Sequence, residues 1–309
     1  VASTYPTDGV KTDINSSISV TFSEVMDNST LTTSSFTVED SSNNQLSGTI
    51  TTDNKISFFI SDSISTGKYN ASLSNQVKDL AGNQMISNFS WSFEFAWMGT
   101  KQLGTSSSDE AKGVATDSSG NIYVTGSTSG GLDGNTNSGS TDIFVIKYNF
   151  FGSHQWTKQF GTANSDVAHG VATDSSGNVY VAGTALYKFD TSGNQLWSQN
   201  PGATSYGVAT DSSGNVYVAG STLVGLDGNS SAGSNDLFVV KYNSSGIKQW
   251  TKQLGTSSSD EAKGVTTDSS GNIYVAGKTR GGLDGNSSSG SDDLFLIKFN
   301  TSGEKQWTK

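Results

Sequence analysis

The chain has 309 residues, a formal charge of −10 and no cysteine, and these three facts already exclude several function classes. An acidic balance with no basic stripe is unfavourable for a polyphosphate backbone, so nucleic acid is set aside as a partner. The lack of cysteine removes both a disulfide framework and thiolate metal sites. No apolar run approaches the roughly 20 residues that span a bilayer, and no signal peptide opens the chain. It starts at Val1, which suggests a processed or trimmed N-terminus. Aromatic residues at 10%, with 36 Gly and only 2 Pro, are too ordered a mixture for a disordered chain. A bias to Ser, Thr, Asn and Gly, with Arg280 as the sole arginine, reads as exported and bacterial. The expected location is extracellular or at the bacterial cell surface.

Residues 1–95 show period-2 alternation in one short run after another. Ile18, Val20 and Phe22 alternate with polar partners, as do Phe36 and Val38, then Ile56, Phe58 and Ile60. Tyr69, Ala71 and Leu73 follow, and finally Phe89, Trp91, Phe93 and Phe95. Such spacing puts one face of each strand in a core and the other in water. Turn signals (PTDG, DNST, SSNN, STGK, LAGN) separate the runs, and about seven short strands predict a β-sandwich. The phrases ISVTFSEVMDNSTLTTSSFTV and VKDLAGN resemble the bacterial Ig-like domain of S-layer and other surface proteins. That resemblance implies a spacer or display module. Asp79 and Asn83 in VKDLAGN are expected to shape a turn through side-chain-to-backbone hydrogen bonds.

From Trp97 a repeat takes over, and residues 96–309 form the second predicted domain. GVATDSSGNVYVAG stands at 170–183 and again, unchanged, at 207–220, with near-copies at 113–126 and 264–277. The copies are spaced by 57, 37 and 57 residues. The short interval contains four strand-sized pieces joined by tight turns, the size of one β-propeller blade. The fold class is therefore all-β, an N-terminal sandwich followed by a propeller with four visible four-stranded blades. The Trp97 segment supplies an additional opening strand, so two readings stay open: part of a longer propeller, or a ring that closes unusually.

Within each copy, the Asp of DSSGN can cap a turn while Gly takes positive φ, and N-[IV]-Y-V should form an inner strand. Trp156, Trp197, Trp250 and Trp307 each close a blade and are expected to fill the gap between neighbouring blades. Lys147, Lys188, Lys241 and Lys298 recur inside apolar strands and call for a carboxylate partner. The nearest choice is the DSSGN aspartate: Asp117, Asp174, Asp211 or Asp268. The pattern W-T-K-Q-[FL]-G-T, GVATDSSGN[IV]YV[AT]G and D-[IL]-F-[VL]-[IV]-K-[YF]-N resembles the SBBP-type β-propeller repeat of bacterial surface and secreted proteins. Blade 2 departs from it by lacking the D-[IL]-F segment and its loop. The family implies a fold and an extracellular setting, and carries no catalytic residues to transfer.

Chemical candidates are few. A sialidase-like site needs several arginines, and Arg280 stands alone. The pairs Asp109–Glu110 and Asp260–Glu261 are chain neighbours that point to opposite sides, so they form no ready dyad across a substrate. They read as parts of solvated connecting loops. His169 occupies the slot of Lys112 and Lys263, and His154 that of Lys248, so both are expected to face solvent. The loops DGNTNSGSTD, DGNSSAGSND and DGNSSSGSDD place hard oxygens at calcium-like spacing. The candidate ligands are Asp133, Asn135 and Asp142; Asp227, Asn229 and Asp236; and Asp284, Asn286 and Asp293. A misplaced glycine and the lack of a closing Glu favour self-capped turns over calcium, and no other cofactor is indicated. The expected function is non-catalytic: an Ig-like spacer carrying a propeller that binds a protein or glycan at the cell surface. A structural link in a longer envelope protein and a carbohydrate-active propeller enzyme are the alternatives.

Overall fold

A computed structural model describes residues 1–13, 17–53, 55–61, 66–96, 101–150 and 152–309. Trp97 and the start of its segment lie outside the described residues. The chain divides into two compact units, Val1–Lys101 with Phe151–Ser153, and Gln102–Phe150 with His154–Lys309. No helix among the described residues is long and apolar enough to cross a membrane.

In the first unit, one sheet orders Ser3–Tyr5, Ile18–Thr21, Ile56–Ser61 and Gly48–Asp53 side by side. The other orders Val10–Asp13, Phe89–Ala96, Gly67–Leu73 and Phe36–Asp40, with its first pair parallel. Ile18, Val20, Phe36, Val38, Tyr69, Ala71, Leu73, Trp91, Phe93 and Phe95 meet in one core, as the alternation predicts. Among the described residues there are eight strands where about seven were expected, because Ser3–Tyr5 and Gly48–Asp53 are short or Thr-rich and carry little apolar signal. In the strand Ile56–Ser61 it is Phe59 that enters the core, 5.8 Å from the Phe36 ring. The side chains of Ile56, Phe58 and Ile60 lie outside the description. Asp79 does shape its turn: its two oxygens accept the Asn83 backbone N–H and side-chain amide, each at 2.8 Å.

The second unit contains four antiparallel four-stranded sheets, the blades of a propeller. Blade 1 is Asp109–Thr116, Ile122–Thr128, Asp142–Tyr148 and His154–Phe160; blade 2 is Ala168–Thr173, Val179–Gly183, Leu186–Phe189 and Gln195–Gln199. Blade 3 is Thr204–Thr210, Val216–Thr222, Asp236–Tyr242 and Lys248–Leu254; blade 4 is Asp260–Thr267, Ile273–Thr279, Asp293–Phe299 and Lys305–Thr308. First strands of consecutive blades pack side by side. Second strands are flanked on both edges and covered on both faces in blades 2 and 3, which is why N-V-Y-V reads as apolar throughout.

Each of blades 1–3 buries its Tyr-bearing face against the Val-bearing face of the next. Tyr123, Ile143 and Val145 of blade 1 meet Val179 and Val181 of blade 2. Tyr180 and Leu186 meet Val216, Val218 and Val240, and Tyr217, Leu237 and Val239 meet Ile273, Val275 and Ile297. Full burial of each such aliphatic side chain contributes about 1.5–3 kcal/mol. That exceeds the roughly 1 kcal/mol net of a neutral hydrogen bond. Apolar contact therefore drives blade stacking, and polar groups set its register.

Those polar groups form a clamp repeated along the chain. Asp174 accepts N–H bonds from Ser176 and Asn178, the Asn178 amide and the Tyr180 hydroxyl, at 2.8–3.0 Å. Asp117, Asp211 and Asp268 do the same for their own blades. The mid-strand lysine lies over the tyrosine ring, 5.1–5.4 Å from its centroid in all four blades. Its ammonium then reaches forward to a backbone carbonyl of the next blade. Lys147 donates to Thr191 (2.9 Å), Lys188 to Ser244 (3.0 Å) and Lys241 to Thr301 (3.3 Å). Trp156 and Trp197 donate to the same Thr191 and Ser244 carbonyls. Their rings lie against Gly193 and Gly246, as the gap-filling role requires. The expected lysine–aspartate ion pair, among the described residues, comes within 4 Å only for Lys188 and Asp174, at 3.9 Å. The carboxylate is already filled by Asn and Tyr donors, so the ammonium takes a carbonyl instead.

This order of strengths is testable by denaturant unfolding. Tyr180→Phe removes one donor and should lower stability by about 1 kcal/mol. Leu237→Ala should lower it by about 2–5 kcal/mol through transfer and cavity terms. A larger loss for Tyr180→Phe than for Leu237→Ala would reverse the ranking.

Candidate functional site

The first strands of the four blades are held in one common register. Thr173 Oγ1 donates to the Thr116 carbonyl (2.9 Å), Thr210 to Thr173 (2.7 Å) and Thr267 to Thr210 (2.8 Å). Equivalent positions therefore line up from blade to blade. Near its start each first strand carries a β-bulge, and the unpaired residues are Lys112, His169, Tyr206 and Lys263. The bulge depends on the glycine opposite. A Cβ at Gly126, Gly183, Gly220 or Gly277 would collide with the carbonyl of Glu110, Val167, Thr204 or Glu261. Bulges re-aim side chains, and these four form a row across neighbouring strands.

The row is aromatic in the middle and charged at its ends. The His169 and Tyr206 rings lie 5.1 Å apart, and the Lys263 ammonium sits 3.8 Å from the Tyr206 ring centroid. Lys112 pairs with Glu110 (2.7 Å) and Lys263 with Glu261 (2.6 Å). Beside them Lys278 lies 3.8 Å from Glu261 and 3.5 Å from Asp292, which Arg280 also holds at 2.7 Å. Burial lowers the His169 pKa, and the charges of Lys112 and Lys263 lower it further. The imidazole is thus neutral at neutral pH and can offer both its ring face and its nitrogens.

His169 is half-buried in the row, whereas the exchange with lysine in sister blades had placed it in solvent. Tyr206 was missed, although the four texts AKG, AHG, SYG and AKG mark one slot. His154 pairs with Asp133 at 3.1 Å, in the same slot where Lys248 pairs with Asp227 at 2.9 Å. The two acidic pairs lie in first strands and not in loops. Neighbours do diverge: Glu110 and Glu261 face the row, while Asp109 and Asp260 turn away. Asp260 is fully buried and accepts the Thr256 N–H (2.6 Å) and hydroxyl (2.9 Å). Asp109 accepts the Thr105 N–H at 2.6 Å.

The three long loops leave the same end of their blades, between Thr128 and Asp142, Thr222 and Asp236, and Thr279 and Asp293. In each, the three proposed ligands have separate protein partners. The leading aspartates take a left-handed φ of 49–58° and pair with the fourth strand, Asp284 with Lys305 and Thr308. Asn135, Asn229 and Asn286 donate their amides to the carbonyls of Leu132, Leu226 and Leu283. Asp142, Asp236 and Asp293 accept loop N–H groups from Ser138, Ala232 and Ser289, each at 2.8 Å. Among the described residues no group of three or more His, Cys, Asp or Glu gathers as metal ligands.

Residues 1–95 match the family model of the bacterial Ig-like domain. Residues 99–133, 155–186, 199–227 and 249–284 match that of the beta-propeller repeat. The chain is a bacterial Ig-like domain followed by SBBP beta-propeller repeats. It is also similar to an uncharacterized WD repeat-containing protein of Acanthamoeba polyphaga mimivirus, 28% identical over 198 residues. These cover 57% of this chain and 13% of that protein. The regulatory protein FlaEY of Caulobacter vibrioides is 28% identical over 200 residues, 62% of this chain and 18% of its own length. A solved protein of unknown function from Bacteroides caccae aligns with a TM-score of 0.40 at 12% identity, covering 88% of this chain and 92% of that one.

The titration of these Ig-like and propeller repeats follows from their hydrogen bonds. Burial pushes the Asp117, Asp174 and Asp211 carboxyls up, but the Asn and Tyr donors outweigh it and hold all three below the ordinary 3.8. A lowered carboxyl contributes stability that is complete above its unfolded pKa and is lost as pH falls through the folded one. His169, also lowered, contributes stability above its ordinary 6.5 that is lost as pH falls below that value. In NMR titration the His169 midpoint should lie below 6.5 and rise in Lys112→Met and Lys263→Met. A midpoint at or above 6.5, or one indifferent to both lysines, would contradict this arrangement.

Proposed function

We propose that this is a non-catalytic bacterial surface or secreted protein, in which the Ig-like domain serves as a spacer and the propeller binds a protein or glycan. The bulge row carries this reading. Tyr206 and His169 supply ring faces on which a sugar ring or an aromatic side chain can stack. Lys112, Lys263 and the carboxylates beside them supply hydrogen bonds and charge at both ends. Loops cluster at the same end of the blades, where recognition usually resides.

The arrangement supports binding over catalysis. Glu110 and Glu261 each sit against a lysine, and Asp109 and Asp260 are occupied as hydrogen-bond acceptors. Neutralised or fully accepting carboxylates are poorly placed to act as an acid–base pair across a glycosidic bond. A bacterial Ig-like domain and the absence of a membrane-crossing helix among the described residues are compatible with an extracellular location. A second reading, a structural link in a longer envelope protein, draws on the small share of the curated relatives that the chain spans.

A glycan and matrix-protein array tests the proposal. Wild type should bind at least one class, and Tyr206→Ala with Lys263→Ala should weaken that binding about tenfold or more, a loss of ~1.4 kcal/mol. The melting temperature should change little, because Lys263 is exposed and Tyr206 is only half-buried, against the His169 ring. Binding that survives both substitutions, or no binding to any class, would overturn the reading.

A further inference from the structure

Blade 4 repeats every element of the forward interface used by blades 1–3. Tyr274 receives Lys298 at 5.4 Å and lies 6.3 Å from the Trp307 ring, as in the other blades. Yet among the described residues Lys298 and Trp307 meet no turn carbonyl of a following blade. Leu294 is 84% exposed and Leu296 36%, where their counterparts Leu237 and Val239 in blade 3 are 0%. Ala276 is exposed, and its counterparts Ala182 and Ala219 are buried. The innermost strands tell the same story. A Cβ at Gly170 would lie 3.4 Å from Gly207 Cα, and one at Gly207 would lie 3.1 Å from Gly264 Cα. A Cβ at Gly264 would meet nothing within 4 Å.

We infer that this face of blade 4 is a preformed docking surface for one further four-stranded blade of the same repeat. Three interfaces within the chain show what covers such a face. It is a second strand of the type [IV]-x-V, a T/S-S-G turn whose carbonyl takes the Lys donor and, in the first two interfaces, the Trp donor as well, and a first strand whose glycine allows close approach. The Thr267 carbonyl completes the set, because Thr116, Thr173 and Thr210 each accept a threonine hydroxyl from the next blade. The corresponding face of blade 1 is covered at its third strand, with Phe144 4% and Ile146 5% exposed, and open at its first, with Val114 69% exposed. It is therefore a poorer match than a whole added blade, and a second copy is an outcome of the test below. An apolar patch rimmed by polar groups marks an interaction site, and this patch carries an unfilled copy of a contact made three times over.

The chain has no cysteine, so a single introduced thiol reports on the face. In Leu294→Cys the thiol should react with a maleimide at the rate of an exposed group. A copy of residues 253–309 is then fused after Lys309, which reproduces the natural Lys252–Gln253 junction. In that extended chain the reaction should slow by about 100-fold or more, as for a group reached only by opening of the interface. A second extended chain carrying residues 200–252 should behave alike, which guards against one added blade failing to fold. Gly264→Val is the control. It should leave the 309-residue chain unchanged, since its side chain enters open space, and restore fast labelling in both extended chains. The inference is overturned by fast labelling in both extended chains, or by protection that ignores Gly264→Val. It is also overturned if the 309-residue chain becomes protected as its concentration rises, which would assign the face to another copy.

Discussion

The second unit depends on one constraint: a blade is apolar on both faces and has only its neighbours to cover it. A sheet that buries side chains on both faces cannot stand alone in water, so stability is shared across interfaces more than within blades. The Asp–Tyr–Lys–carbonyl clamp follows from that. Tyr123, Tyr180 and Tyr217 are wholly buried but for a hydroxyl that needs a partner, and the turn aspartate supplies it. Burial and the bonded aspartate both push the tyrosine pKa upward, so the hydroxyl stays a donor. The lysine covers the ring and spends its charge on the next blade's turn, converting a local hairpin into an inter-blade contact.

The same constraint positions the candidate site. Close approach of first strands requires glycine at 113, 170 and 207, and a common register requires the threonine hydroxyls that bridge them. Once four strands share a register, a bulge at one repeat position becomes a row of four side chains. The scaffold positions are nearly invariant among the blades, whereas the bulge position holds Lys, His, Tyr and Lys. A slot that the fold leaves free to vary is where a repeat protein can place its specificity.

Much of this was legible in the sequence, and the part that was not has a physical reason. DSSGN and DLAGN could be read because the turn is local: Asp, Gly and Asn meet within five residues and need no tertiary context. The Trp positions could be read from their fixed offset to the SG turn. The lysine partner could not, because a backbone carbonyl in another blade leaves no mark on the sequence, while the nearby aspartate does. The row was hidden because a bulge shifts the alternation by one, so Lys112 and its counterparts fall out of phase with their strand. Asp260 looked solvated beside Ser and Glu, yet it is buried because Thr256 and Thr279 both donate to it. In the first unit, the Thr-rich strand Gly48–Asp53 offers alternation only through Ile50, too little to separate strand from loop.

Native-state hydrogen exchange, followed strand by strand, measures most directly whether interfaces hold the blades. If they do, amides of Val179–Gly183 and Val216–Thr222, in the two blades covered on both faces, should open only with global unfolding. Amides of Ile273–Thr279, in a blade covered on one face, should exchange through a smaller opening free energy, in the graded manner of stacked units. Equal protection of the second strands in blades 2, 3 and 4 would contradict the account and locate stability within each blade.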